Sequence, residues 1–189
     1  KHASTYGAIQ FAKKACAGPL LSSEIDSLKK AMGDPEKPLV AVIGGAKVSS
    51  KLGVIESLAS ICDCIIVGGG IANTFLLANG NSVGNSLVET DMVEAAERIL
   101  QLKQVHVPIP TDVVVAKEFS SEAIALEKSI DQVEEDDLIL DIGPETTNAY
   151  KELISKARTI IWNGPVGVFE IEQFSQGTQQ VAMAIQDNQ

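Results

Sequence analysis

The sequence predicts an α/β fold: a doubly wound parallel sheet with helices on both faces, in a Rossmann-like three-layer arrangement. Short apolar runs rich in β-branched residues alternate along the chain with segments of helical period, as in parallel sheets with crossover helices. Three of these runs end in glycine-bearing turns, at Gly44-Gly45, Gly68–Gly70 and Gly164-Pro165. Because such sheets bind ligands beyond the carboxyl ends of their strands, we expect the turns to meet and form a ligand site.

Two helices are predicted before the first strand. Apolar residues have helical spacing over 6–17, and Gly18-Pro19 is expected to end that helix. A serine at 22 or 23 then caps a second helix, Glu24–Met32, which stops near Gly33. We expect these helices to precede the ligand-binding sheet.

The first strand-turn-helix unit follows Pro38. Leu39–Ile43 is an apolar run typical of a strand buried on both faces. Apolar residues then recur at helical spacing over 52–61, and Ser49 or Ser50 can supply the N-cap oxygen. The glycine turn between strand and helix has no bulky side chain, so backbone N–H groups and a helix N-terminus can approach an anion there.

Lys47 and Lys51 add positive charge to this turn. If the helix begins near Val48, both lysines reach the same side of its first turn. Cations at a helix N-terminus oppose the macrodipole, so two of them indicate a bound anion such as a phosphate. The alternative is a tight turn whose lysines point into water. The spacing is not that of a Walker A loop.

A second unit consists of Cys64–Val67, the three glycines and a helix over 71–78. Consecutive glycines at the end of a strand allow close approach by a flat ligand such as an adenine ring. They also begin a dinucleotide-binding pattern, but Asn73 stands where its third glycine belongs. Glu89 has roughly the offset of the ribose-binding acid in that pattern, so an NAD-dependent oxidoreductase half is a second hypothesis.

The later elements follow the same alternation. Helices are predicted over 92–102, from Gly143-Pro144 to 157 and over 179–185, and strands over 105–107, 112–117, 138–142 and 159–162. The acidic run Glu134–Asp137 is expected to be a solvated loop, and Lys117 to be solvated. A sheet of this type ordinarily continues into another strand, so we expect the fold to be truncated at the C-terminus.

Composition excludes several classes of partner. With 25 acidic and 15 basic residues the formal net charge is −10, which disfavours nucleic acid and anionic membranes. No apolar run is long enough for a membrane span and no signal peptide is evident, although the chain does not begin with Met. Cys16, Cys62 and Cys64 form neither a disulfide framework nor a metal knuckle, so we expect no metal site and a cytoplasmic location.

Three long strings, in order, carry a resemblance to a known family. The strings are VIGGAKVSSK at Val42–Lys51, IVGGGIANTFL at Ile66–Leu76 and IWNGPVGVFE at Ile161–Glu170. They closely resemble phosphoglycerate kinase of the bacterial type, over essentially the whole chain but only for the C-terminal, nucleotide-binding half of that family. The resemblance implies a linker region at 1–20 and a nucleotide-binding domain at 21–189 that lacks the family's last strand, glycine-rich loop and helix.

The resemblance implies an activity for the parent enzyme. Phosphoglycerate kinases, which act in glycolysis, transfer a phosphoryl group between 1,3-bisphosphoglycerate and ADP, giving 3-phosphoglycerate and ATP, with Mg²⁺. This half would bind ATP or ADP, whereas phosphoglycerate would bind only through the absent N-terminal domain, and the intact enzyme would be a monomer. The metal ligand belongs to the missing C-terminal loop. No catalytic residue is assigned to this half, and the isolated chain is expected to be inactive.

The resemblance also implies the site residues. Those expected against the adenine are Gly45, Ala46, Gly69, Gly70, Leu87, Leu140, Pro165 and Val168. Glu170 would accept hydrogen bonds from the ribose hydroxyls, and Lys47, Lys51 and Asn163 would face the phosphates. Ile139 stands where many members have a glycine beside the nucleotide, so that contact is expected to be altered. A non-catalytic nucleotide-binding module would use the same residues and stays open as an alternative.

Overall fold

The computed structural model describes residues 6–188 of the chain, apart from the side chain of Ala31. It consists of two compact units that divide between Pro35 and Glu36. The predicted linker region at 1–20 falls in the first unit, and its residues 1–5 lie outside the described range. The boundary predicted at 20/21 stays a prediction.

The first unit contains a short helix and a long one. Helix α1 is Ala8–Gln10 and helix α2 is Pro19–Gly33. The predicted helix over 6–17 is therefore mostly not helical, and the predicted serine cap of the second helix is wrong. Gly18 is the N-cap, and Pro19 opens the helix instead of ending the previous one. Proline suits this first position because the N–H that it lacks has no partner within the helix there.

The second unit carries the remaining elements. The strands are β1 Leu39–Ile43, β2 Cys64–Val67, β3 Asp112–Ala116, β4 Leu126–Ser129, β5 Leu138–Ile142 and β6 Thr159–Asn163. The helices are α3 Leu52–Ala59, α4 Gly70–Ala78, α5 Val93–Leu100, α6 Pro144–Ser155 and α7 Gln176–Asp187. Short 3-10 helices occupy Thr90–Met92, Ile130–Gln132 and Glu172–Phe174.

Strands β1, β2 and β6 form a parallel sheet with β1 in the centre. Ile43 pairs with Val67 on one side and with Asn163 on the other, so the three carboxyl ends are level. Alternate β1 residues enter two cores: Leu39, Ala41 and Ile43 pack with α3, α4 and α5, whereas Val40 and Val42 pack with α6 and α7. The predicted α/β class with helices on both faces is confirmed.

The predicted run at 105–107 is only partly a strand. His106 forms a single parallel bridge to Cys64 beside β2, and it is exposed.

The neighbouring thiols of Cys62 and Cys64 are buried, and burial raises their pKa values to about 11 and about 12. Burial therefore keeps both thiols protonated and unreactive at neutral pH.

Strands β3, β4 and β5 form a separate antiparallel sheet, in the order β4-β3-β5. The prediction that the apolar runs at 112–117 and 138–142 join the parallel sheet is therefore wrong. Strand β4 was not predicted from the sequence, because its residues are mostly polar and largely exposed and resemble the polar loop around them. Pairing with β4 turns β3 into the centre of its own sheet, with one face packed on Val133 and its neighbours.

Ion pairs join the acidic run to this antiparallel sheet. The carboxylate of Asp137 has no exposed surface and lies 2.7 Å from Lys128 Nζ and 2.9 Å from Lys117 Nζ. Lys117 also pairs with Glu134 and Asp136. The expectation of a solvated acidic run is thus wrong for Asp137, whereas Glu134, Asp136 and Lys117 form these ion pairs while staying exposed. Across the described residues, no helix combines the length and the apolar character that a membrane crossing requires.

Candidate functional site

The three glycine turns meet at the carboxyl edge of the parallel sheet. The Gly44 N–H donates to the Asn163 carbonyl oxygen at 2.9 Å, and the Gly68 N–H donates to the Ile43 carbonyl oxygen at 3.0 Å. The Gly69 N–H donates to the Val166 carbonyl oxygen at 2.9 Å. The turns therefore hold one another through their backbones, as predicted for strand ends that lie at the same sheet edge.

Glycine is required where these backbones come closest. A Cβ placed on Gly44 would lie 1.8 Å from the Pro165 carbonyl oxygen. Gly69 has φ +64°, and its Cβ would lie 2.9 Å from the Gly45 carbonyl oxygen. Side chains at these positions would push the turns apart, so glycine is needed for packing as well as for a surface accessible to a ligand.

A cleft of about 610 Å³ opens beside the turns. Nine of the thirteen predicted site residues line it: Gly45, Ala46, Gly69, Gly70, Leu87, Leu140, Pro165, Val168 and Glu170. The lining combines glycines with aliphatic side chains, and Glu170 provides a carboxylate. A mostly apolar cleft with a few polar groups is typical of small-molecule sites.

Four further residues line the cleft: Asn85, Phe119, Leu138 and Gly167. None of the four was predicted from the sequence. Phe119 is 66% exposed and Leu87 is 56% exposed, so two large apolar side chains face solvent at this cleft. A lone aromatic residue in a polar segment is the signal that could have identified Phe119, because an unburied ring is available to a ligand.

The loop that carries Asn85 and Leu87 is fixed by the antiparallel sheet and by α4. The Asn85 N–H donates to the Asp137 carbonyl oxygen at 2.8 Å, and the Ile139 N–H donates to Ser86 Oγ at 2.8 Å. Asn73 Nδ2 donates to the Leu87 carbonyl oxygen at 3.3 Å. The Asn73 side chain therefore supports the wall of the cleft from behind.

The predicted phosphate-facing residues lie beside the cleft and do not line it. Lys51 Nζ donates to Asn163 Oδ1 at 2.5 Å, which joins the turn after β1 to the end of β6. Lys47 is exposed and follows Ala46, a cleft residue. Lys47 and Lys51 can offer positive charge and hydrogen-bond donors to an anion at one end of the cleft.

The start of α3 differs from the prediction. The helix begins at Leu52 with Lys51 as its N-cap, and no side chain caps it. The predicted start near Val48 and the serine cap are therefore wrong. Ser49 Oγ donates instead to Glu89 Oε1, and Ser50 Oγ donates to the Lys47 carbonyl oxygen. The lysines consequently lie on a turn and at a helix boundary, not on one helical face.

Ile139 faces away from the cleft. Strand alternation places Leu138 and Leu140 in the cleft, whereas the Ile139 side chain packs against Val113 and its neighbours. It also lines a small void of about 10 Å³ beside α4, β3 and β5. Any effect of Ile139 on a ligand would therefore be indirect.

Asp141 is a buried carboxyl group next to the cleft-lining Gly167. Its Oδ2 accepts the Gly177 N–H at 2.8 Å, and its Oδ1 accepts the Ile142 N–H at 2.9 Å. The two hydrogen bonds lower the pKa of Asp141, but burial raises it by more, and the resulting pKa is about 7. A Cβ on Gly167 would lie 2.1 Å from Asp141 Oδ1, so this carboxyl group supports the loop before Glu170 by direct packing.

The carboxylates that lie close enough to share a metal ion, among residues 6–188, are Glu134, Asp136 and Asp137. Lys117 pairs with all three and Lys128 with two of them. Because two lysines already pair with these three carboxylates, the group does not fit a resident metal ion.

Comparisons with known proteins agree with this architecture. The family model described as phosphoglycerate kinase matches residues 1–189. The phosphoglycerate kinase from Coxiella burnetii is 52% identical, with a TM-score of 0.88 over 97% of this chain and 48% of that chain. The enzyme from Pyrococcus horikoshii OT3 is 33% identical, with a TM-score of 0.79 over 90% of this chain and 44% of that chain. This chain spans about half the length of these structures, and it belongs to the phosphoglycerate kinase family.

Proposed function

We propose that this chain is the nucleotide-binding half of a phosphoglycerate kinase. The parent enzyme would transfer a phosphoryl group between 1,3-bisphosphoglycerate and ADP, giving 3-phosphoglycerate and ATP, as a step of glycolysis in the cytoplasm. The observation that carries the proposal is the cleft at the sheet edge, which nine predicted site residues line. Family membership supports a phosphotransferase.

The cleft and its surroundings suit the three parts of an adenine nucleotide. Leu87, Leu140 and Val168 offer apolar surface to the base, and Glu170 offers a carboxylate to the ribose hydroxyls. Lys51, already bonded to Asn163, and the neighbouring Lys47 offer charge to the phosphates. Phosphoryl transfer requires positioning and charge neutralisation more than a covalent partner from the protein, and these side chains can supply both.

We propose that Mg²⁺ enters with the nucleotide. The clustered carboxylates of this chain, Glu134, Asp136 and Asp137, are paired with lysines. The cleft itself is lined by the carboxylate of Glu170. When bound to the phosphates, the ion would neutralise negative charge. The residues of this chain would orient the base and ribose and place the lysine pair near the anion.

We also propose that the isolated chain has no measurable phosphoryl transfer and acts only as a nucleotide-binding module. Kinases of this family close two domains over their substrates, which excludes water and aligns donor with acceptor. The chain spans about half of the related structures, which supports this expectation. A coupled assay with 1,3-bisphosphoglycerate and MgADP tests it, and turnover by the purified chain would contradict it.

Calorimetric titration with MgADP tests the site. We expect saturable binding by the unsubstituted chain, weakened roughly tenfold or more by Lys51→Ala and by Glu170→Ala, because each removes a charged ligand contact. Lys103→Ala and Glu172→Ala are matched controls, since both residues are exposed and outside the cleft. Absence of binding by the unsubstituted chain, or equal binding by all variants, would contradict the proposed site.

The NAD-dependent alternative receives no support from the geometry. It requires Glu89 to be available to a ribose, whereas both carboxylate oxygens of Glu89 accept hydrogen bonds from Ser49.

A further inference from the structure

Glu89 forms a two-point clamp on the turn that carries the lysine pair. Its Oε2 accepts the Ser49 N–H at 2.8 Å, and its Oε1 accepts the Ser49 hydroxyl at 2.6 Å. The two residues are 40 positions apart, so the clamp ties the turn after β1 to the loop after α4. Both hydrogen bonds are charge-assisted, which makes them stronger than bonds between neutral groups.

The loop that carries Glu89 is itself held in place. The Glu89 N–H donates to Thr74 Oγ1 at 3.2 Å, and the Thr74 hydroxyl donates to the Gly70 carbonyl oxygen at 3.1 Å. Thr74 is fully buried on α4, whose first residue, Gly70, lines the cleft. Glu89 therefore connects the lysine-bearing turn to a rigid part of the molecule.

Besides the clamp, the hydrogen bond from Lys51 Nζ to Asn163 Oδ1 and two local hydrogen bonds restrain the turn near its lysines. Within it, the Lys51 N–H donates to the Val48 carbonyl oxygen at 2.8 Å, and Ser50 Oγ donates to the Lys47 carbonyl oxygen at 2.8 Å. The Val48 side chain is buried, whereas Lys47 and Ser49 are exposed. Local hydrogen bonds shape the turn, but the clamp supplies hydrogen bonds that orient its exposed side.

The charge of Glu89 fits this role. The Ser49 hydroxyl and N–H, followed by the Val48 N–H and the nearby charge of Lys47, hold the pKa of Glu89 below its usual range. The carboxylate is consequently ionised at neutral pH and can accept both hydrogen bonds at once.

We propose that Glu89 is a positioning residue for the phosphates of the nucleotide, acting through Ser49 to hold the turn from which Lys47 and Lys51 reach the anion. This inference rests on the proposed function, because it concerns the same site. Leu87, two residues before Glu89, lines the cleft and touches the region proposed for the base. The clamp thereby sets the lysine turn relative to the base-binding wall.

Hydrogen exchange tests the clamp without any ligand. We expect the amides of 46–51 to exchange roughly three- to tenfold faster in Glu89→Gln and in Ser49→Ala, since each variant loses one hydrogen bond of the clamp. Ser49→Thr keeps the N–H and the hydroxyl and should restore slow exchange. Glu97→Gln and Ser57→Ala, both exposed on neighbouring helices, are the controls. Unchanged exchange in both clamp variants would overturn the inference.

Titration with ADP and with adenosine separates positioning from general stability. Glu89→Gln and Ser49→Ala should each weaken ADP binding by roughly tenfold and leave adenosine binding unchanged. The variant that combines both substitutions should bind ADP no more weakly than either single variant. An equal loss for both ligands, or no loss for ADP, would overturn the phosphate role. If the unsubstituted chain binds neither ligand, the proposed function fails and the phosphate role fails with it, while hydrogen exchange still decides whether the clamp orders the turn.

Discussion

The two sheets of the second unit build the same cleft in different ways. The parallel sheet contributes backbone, because its turns at Gly44, Gly69 and Gly164 lie against one another without side chains between them. The antiparallel sheet contributes side chains, with Leu138 and Leu140 in the cleft. The turns of the parallel sheet can approach one another only because their glycines lack Cβ atoms. The antiparallel sheet is held in part by the ion pairs of Asp137. Substitutions should therefore act differently in the two regions.

Gly44→Ala should have the largest effect. Its Cβ would overlap the backbone of Pro165, which cannot move without separating β1 from β6. We expect the free energy of unfolding to fall by about 3 kcal/mol or more in denaturant titrations. Gly53→Ala is the matched control, because its Cβ meets nothing within 4 Å on α3. That control should be neutral or slightly stabilising, and a Gly44→Ala protein of normal stability would contradict the packing argument.

Asp137→Ala should have the next largest effect. The substitution leaves Lys128, which is only 16% exposed, without its buried partner. We expect a loss of roughly 2–4 kcal/mol in the free energy of unfolding, together with faster exchange of the Asn85 amide. Glu135→Ala, at an exposed position of the same acidic run, should change stability by less than about 0.5 kcal/mol. Equal effects of the two substitutions would show that the charge pairs do not hold this sheet.

Per pH unit, the smallest expected effect is a pH dependence of stability from Asp141. Because burial raises the pKa of this carboxyl group to about 7, the folded protein binds its proton where the unfolded chain has released it. Its contribution to stability is complete below the unfolded pKa and declines as pH rises towards about 7, by about 1 kcal/mol per pH unit.

Carbon-detected NMR of the Asp141 carboxyl group would check this directly. Asp137 provides the contrast: burial alone would raise its pKa, but Lys128, the Glu134 N–H and Lys117 together lower it. Asp141 should therefore titrate well above Asp137. Titration of Asp141 near 4 would rule out the expected pH dependence.

Local patterns sufficed for much of the parallel region. The bounds of β1 and β2 match the apolar runs because those strands are buried on both faces and contain almost no polar residue. The three glycine turns were found for a similar reason, since a strand end that must approach another backbone shows in the sequence as glycine. Nine cleft residues followed from the family resemblance.

The sequence by itself determined the α/β class, the family and the edge of the sheet where the cleft lies, because these depend on residue type along short segments. Only the tertiary structure decided that β3 and β5 leave the parallel sheet, that Phe119 reaches the cleft and that Glu89 binds Ser49. The physical reason is that strand partners, exposed rings and long-range hydrogen bonds depend on which segments come together in space. Nothing in Leu126–Ser129 distinguishes that segment, as sequence, from an ordinary solvated loop, and nothing at Glu89 indicates that its carboxylate binds Ser49.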